Sequence, residues 1–285
     1  MALAAALTGS LVLAASCTPA PRAAVSYPPA ASASPTPAGA ADVCRTNISD
    51  FKITFDFGHG LSAGDKALIR RATATARRYY NLPVPACAHP SVVTHVSNTS
   101  AGAVLAQAIG VDHGSSTVVV FTQGLWPTES AAQKLQVLLH EWYHVVQFPF
   151  RTCSQYMAGC PQPTVHIPYW FIEGTAEYES VRAATTLGRA PFAAERAKRL
   201  TVARTARSPS LERMGFLNSY QLYTVAFGAV DYLIAKTREA QLKAFWWDIA
   251  DTGNWLTSFR KAFGMPAKDF YDAFAKYRAN GYQGS

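Results

Sequence analysis

The chain has 285 residues, a formal net charge of +8, and a composition that is 49% hydrophobic but only 15% charged. That balance excludes an intrinsically disordered chain, and the length allows a sizeable core in one or two domains. The positive charge does not mark a nucleic-acid binder: Arg70, Arg71, Arg77 and Arg78 share one segment, Lys198, Arg199, Arg204 and Arg207 another, with no nucleic-acid motif beside them, so both groups read as solvated helix faces.

Residues 1–17, MALAAALTGSLVLAASC, form a short apolar run with small residues before a cysteine. The run is too short for a convincing membrane span and has the length of a signal-peptide core. Its end, LAASC, resembles the lipobox of bacterial lipoproteins, although Ala14 stands where leucine is commonest. The resemblance implies lipid anchoring through Cys17, with plain secretion as the alternative; either places the protein outside the cell or on its surface. Residues 18–42 are almost wholly Pro, Ala, Ser and Thr, with too little apolar surface to offset ordering entropy, and read as a disordered linker. Cys44, Cys87, Cys153 and Cys160 remain, an even number in an oxidising compartment. Three pairings are open, and Cys153–Cys160 with Cys44–Cys87 is preferred.

The folded part, 43–285, starts with an alternating segment at 49–58 that reads as a strand. A helix is expected over 62–82, with Ser62 as N-cap and Asp65 three residues on. The β-branched runs at 91–98 and 116–124 read as strands, and AGAVLAQAIG (101–110) between them as a short helix. Helical periodicity then dominates, over 128–148, 169–187, 191–207, 219–237 and shorter pieces to 279. The pattern gives a mixed α/β half (43–150) and a helical half (151–285), with a cleft between them as the place for a site.

The stretch HEWYHVVQ (140–147) falls at that boundary. Leu135, Leu138, Leu139, Trp142 and Val146 recur at helical spacing, so His140 and His144, four apart, project from one face within reach of a single ion. Glu141 lies beside them, placed to take a proton from a water activated by that ion; zinc suits two imidazoles and a carboxylate. Two histidines cannot close a zinc site. PYWFIEGTAEYESV (168–181) supplies Glu173 and Glu177, four apart on a second helix among Trp170, Phe171, Ile172 and Tyr178. Carboxylates in such company need a partner, because an unpaired buried charge is costly.

H-E-x-x-H followed by W-x-x-E-G-x-A-E-Y resembles the gluzincin metallopeptidases, the thermolysin and M1-aminopeptidase branch of the zincins, and within them the bacterial peptidase MA-like group. The resemblance implies an α+β zincin-like fold and a zinc-dependent peptidase holding one zinc ion. It makes His140, His144 and Glu173 the metal ligands, Glu141 the general base, and Glu177 the carboxylate that supports one histidine. It also implies an oxyanion-stabilising tyrosine from the segment 218–234, with Tyr223 first and Tyr220 second. A metzincin is excluded, because Gln147 and Phe150 stand where glycine and histidine are needed. His166 is a weaker candidate ligand; His59, His89, His95 and His113 read as turn, surface or core residues.

The spacer between His144 and Glu173 holds 28 residues, more than the resemblance implies, and a Cys153–Cys160 disulfide is expected to close the extra length into a flap. The G-x-M-x-N exopeptidase motif of the M1 branch is absent, which favours an endopeptidase acting on a peptide or protein, as a monomer. Two other readings stay open: a zincin-fold surface protein without activity, and an envelope interaction protein in which the metal motif is coincidental.

Overall fold

A computed structural model describes residues 45–58, 61–85, 91–97, 105–110, 116–156, 167–188, 190–215, 217 and 219–283. The expectations for the leader, the linker, Cys17, Cys44, Cys87, Cys160, His59, His89, His113 and His166 fall outside these residues, as does the side chain of Cys153. No helix among the described residues is long and apolar enough to cross a membrane.

Two sheets precede the helical majority. Strands β1 (Arg45–Asn47) and β3 (Pro83–Pro85) pair antiparallel as a small ribbon. The main sheet has β2 (Lys52–Asp56), β4 (Ser91–Ser97), β6 (Ser116–Phe121) and β5 (Ala106–Gly110) in the order β2-β4-β6-β5. The first three run parallel and β5 lies antiparallel on β6, with Ala108 opposite Val118. Val92, Thr94 and Val96 of β4 and Ser116, Val118 and Val120 of β6 are buried, while their neighbours along each strand are half-buried or exposed. One face of β4 and β6 is therefore covered, the period-2 signature that the β-branched runs carried, while Ile53 and Phe55 of the edge strand β2 on the same face are half-buried.

Residues 106–110 are a strand and not the helix that their alanines suggested. Local preference favours a helix there, but the small side chains of Ala106 and Ala108 let this edge strand lie close under helix α2 (Ala131–Tyr156). Tertiary pairing with β6 overrides propensity.

Helix α1 (Ala63–Tyr79) begins as expected, with the amide of Asp65 donating to Ser62 Oγ at 3.0 Å. Helix α2 starts with a capping box: Gln133 N donates to Ser130 Oγ at 3.2 Å, and Ser130 N donates to Gln133 Oε1 at 3.2 Å. It does not stop at residue 148 but continues through Pro149 to Tyr156. Proline costs the helix one hydrogen bond, yet Phe150 is fully buried against Trp246 and Trp247, which holds the next turn in place.

The helical half comprises α3 (Tyr169–Thr185), α4 (Phe192–Thr205), α5 (Tyr220–Lys236), α6 (Glu239–Thr252), α7 (Trp255–Phe263) and α8 (Ala267–Ala279). Every residue of α3 from Trp170 to Val181 is buried, so this helix is the centre of the molecule rather than an amphipathic cover. It packs between α2 and α5. At its start Phe171 meets Phe245 (ring centroids 4.6 Å apart) and Trp255 (5.0 Å), and Trp170 stacks on Phe270 (5.4 Å). This aromatic cluster anchors α3 to α6, α7 and α8 by the large apolar area it removes from water.

Candidate metal centre

The site is built where α2 and α3 cross. His140 and His144 lie one turn apart on α2, and α3 brings Glu173 to both: Glu173 Oε2 is 3.2 Å from His140 Nε2 and 3.3 Å from His144 Nε2. The two Nε2 atoms are 3.0 Å apart. All three side chains are buried, at 4%, 1% and 2% exposure. Two imidazole nitrogens this close cannot both direct lone pairs at one point without a proton or a cation between them. Atoms bound about 2.0–2.1 Å from a tetrahedral zinc ion stand about 3.3 Å apart, which the observed triangle nearly matches. The donor set and its spacing thus fit a divalent metal, and these three form the metal-capable group among the described residues. Burial acts to raise the Glu173 carboxyl, but the two imidazoles outweigh it and hold that carboxyl well below the usual carboxylate range.

One residue explains why the two helices come so close to a third. A Cβ on Gly174 would stand 2.6 Å from Ala226 O and 3.0 Å from Val230 Cγ2, both on α5. Glycine directly after Glu173 is therefore what lets α5 approach α3. That approach seats Tyr223, itself buried, with its ring centroid 5.8 Å from that of His140. Tyr220, the second candidate, is instead associated with Arg199, whose guanidinium lies 6.0 Å from its ring.

Glu141 is fully buried. Its Oε2 accepts the amide of Ala108 at 2.7 Å, so the edge strand β5 fixes the carboxylate beside the imidazoles; Oε1 has no hydrogen-bond partner. Burial pushes this carboxyl up to about 8, and the charge on Glu173 adds to the rise, while His144 and the Ala108 amide act the other way. A buried carboxyl that titrates near neutrality, with one oxygen held and the other without a hydrogen bond, has the chemistry of a proton-exchanging group.

Glu177 sits one turn beyond Glu173, but not as expected. Its Oε2 faces Arg199 Nη1 at 3.2 Å and accepts from Gln136 Nε2 at 3.3 Å, and His140 Nδ1 has no hydrogen-bond partner. The expected support of a histidine by Glu177 is therefore absent from this arrangement; a buried arginine competes for the carboxylate. Arg199 is itself a correction: read as part of a solvated face, it is 2% exposed, with Phe227 5.3 Å below its guanidinium. Its position with Phe192, Leu200 and Ala203 on the inner stripe of α4 was the signal that could have shown this. Arg70, Arg71 and Arg78 of α1 are exposed, as expected. His95 is an exposed partner of Asp56, 2.8 Å away.

Gln147, which in the sequence serves only to exclude a metzincin, has a structural part: its Oε1 lies 2.7 Å from His144 Nδ1, and it is wholly buried. Its position three residues after His144, on the same helix face, is the signal in the sequence.

No family model matches the sequence, and no curated protein does either. Among solved structures the chain is similar to a mutant of an M1 zinc metallopeptidase from Deinococcus radiodurans, with a TM-score of 0.42 and 15% identity, over 78% of this chain and 48% of that one. The match thus spans about half the length of that structure. The arrangement on α2 and α3 stands on its own geometry: two imidazoles and a carboxylate, converging in a mixed α/β protein with a helical majority.

Proposed function

We propose that the protein is an exported zinc-dependent peptidase of the gluzincin type, acting as an endopeptidase on peptides or proteins outside the cell. The observation that carries this reading is the buried convergence of His140, His144 and Glu173, with Glu141 held beside them by Ala108. Those three side chains would hold the metal, which when bound supplies a Lewis acid and makes water nucleophilic near neutral pH. Beside a dication held by those three residues the Glu141 carboxyl would be lowered and ionised, so that Glu141 would accept the proton of the attacking water at Oε1 and return it to the leaving amine. Tyr223 donates a hydrogen bond to the oxyanion as it forms, a contribution of the kind such donors make in acyl transfer. The leader implies export, with Cys17 as a lipid anchor on the cell surface, and no nucleic-acid partner takes part.

The test is cleavage of a diverse peptide library by the full chain. Activity is expected to disappear with a chelator, return with zinc, and be abolished by Glu141→Gln while zinc stays bound. Cleavage that persists in Glu141→Gln refutes the role of that carboxylate. Stoichiometric zinc with no cleavage of any peptide would favour the inactive surface protein instead.

A further inference from the structure

We infer that Gln147 is a positioning residue: one buried amide sets which nitrogen His144 presents to a metal and fastens the two ligand-bearing helices in register. The inference rests on the metal reading above.

The hydrogen bonds can be followed from a group whose role is fixed. The carbonyl of Ile172 can only accept, and Gln147 Nε2 lies 3.0 Å from it. The same nitrogen is 2.9 Å from Thr175 Oγ1, whose own hydroxyl proton is directed to main-chain carbonyls, that of Phe171 at 2.7 Å or that of Ile172 at 3.0 Å. Two acceptors therefore lie on this side, and the amide NH2 must face them. The amide oxygen then faces His144 Nδ1, 2.7 Å away, and oxygen can only accept, so Nδ1 carries a proton. His144 Nε2 is left as the lone-pair nitrogen, and it is this atom that faces His140 and Glu173. A main-chain carbonyl on α3, one residue before Glu173, thus dictates the tautomer of a ligand on α2.

The same amide grips α3 at Ile172 and Thr175, on either side of Glu173. Orientation of one ligand and placement of another are joined in one side chain, all of it shielded from water. A glutamate in its place could still accept from Nδ1, but it would confront the Ile172 carbonyl with a second acceptor. A leucine would do neither. The two tasks are therefore separable by substitution.

The experiment compares the full chain with its Q147E and Q147L variants, using zinc affinity by chelator competition and thermal unfolding of the metal-free proteins. Nitrogen-detected NMR of the zinc-loaded, histidine-labelled wild type identifies the bound nitrogen of His144 without any variant. Q147L is expected to weaken zinc by roughly 10- to 100-fold, the usual cost of losing such a supporting partner. Q147E is expected to lose as much thermal stability as Q147L, yet to bind zinc within a few-fold of wild type. Coordination through Nε2 with a protonated Nδ1 supports the inference; coordination through Nδ1 overturns it. Equal zinc loss in Q147E and Q147L would also overturn it, since a packing role alone moves both variants together. Wild-type affinity in Q147L sinks this inference but leaves the metal reading standing, whereas a wild-type chain that takes up no zinc overturns both.

Discussion

The surroundings of the two imidazoles differ. Behind His144 every hydrogen bond is closed: Gln147, Ile172, Thr175 and Phe171 form a chain in which each donor meets an acceptor. On the side of His140 polar atoms are left without a hydrogen bond, namely His140 Nδ1, Glu141 Oε1 and Arg199 Nε, while Arg199 Nη1 meets Glu177 as an ion pair. A satisfied network is rigid, whereas unpartnered buried groups hold free energy that a ligand, proton or water can release. The difference teaches that His144 is built into the scaffold, whereas His140 lies beside buried polar atoms whose hydrogen-bonding capacity is unused.

The largest effect should come from removing the atom that both sides share. Glu173→Gln takes away the carboxylate common to the two imidazoles, and its cost in zinc affinity should exceed the roughly 10- to 100-fold loss that goes with a supporting residue. A chelator-competition titration measures this directly. A loss no greater than that of Q147L would mean that Glu173 is not a ligand.

Arg199→Met probes the open side. Arg199 and Glu177 are buried together, and removal of the arginine leaves a carboxylate without its counter-charge, at a cost of about 3 kcal/mol in unfolding free energy. Adding Glu177→Gln should recover part of that loss, because the stranded charge is then gone. An unchanged denaturation midpoint in Arg199→Met would show that the ion pair contributes nothing, and the contrast between the two sides would weaken.

Glu179 is a further buried carboxyl of α3, two residues beyond Glu177. Burial, then the charge on Glu239, pushes its carboxyl up to about 7, against the pull of Arg182 and Lys243. In the unfolded chain the group titrates near the ordinary glutamate value of 4.5. Between those two values the folded state binds the proton and the unfolded state does not, so stability falls as pH rises from about 4.5 to 7. Glu179→Gln should flatten that slope and stabilise the protein at pH 8 by on the order of 2 kcal/mol. An unaltered pH profile would contradict it.

Gly174→Ala should act on both sides alike, because it separates α3 from α5 without touching a hydrogen bond. The clash with Ala226 O implies a loss of about 1–3 kcal/mol, read from chemical unfolding. It should also displace Tyr223, so zinc binding should suffer less than cleavage.

Much of this was legible in the sequence because it rests on periodicity. The strands at 52–56, 91–97 and 116–121, and the helices from α1 through α5, follow alternation or helical spacing that local chemistry enforces. The metal group was legible too, since His140 and His144 need only one helix to meet, and Glu173 only a second. What escaped depends on contacts between distant segments. Strand β5 is set by the edge it pairs with, the extra turns of α2 by Phe150 against two tryptophans, and the partner of Glu177 by an arginine from α4. Gln147 escaped for a different reason: its role depends on which way an amide faces, and no spacing rule encodes that.

The most direct measurement is the metal itself. Purified full chain, dialysed and analysed by elemental spectrometry and X-ray absorption, should carry one zinc ion per chain with two imidazole nitrogens and a carboxylate oxygen in its shell. Protein that stays metal-free in excess zinc, or zinc that remains bound when residues 140, 144 and 173 are all changed to alanine, would contradict it.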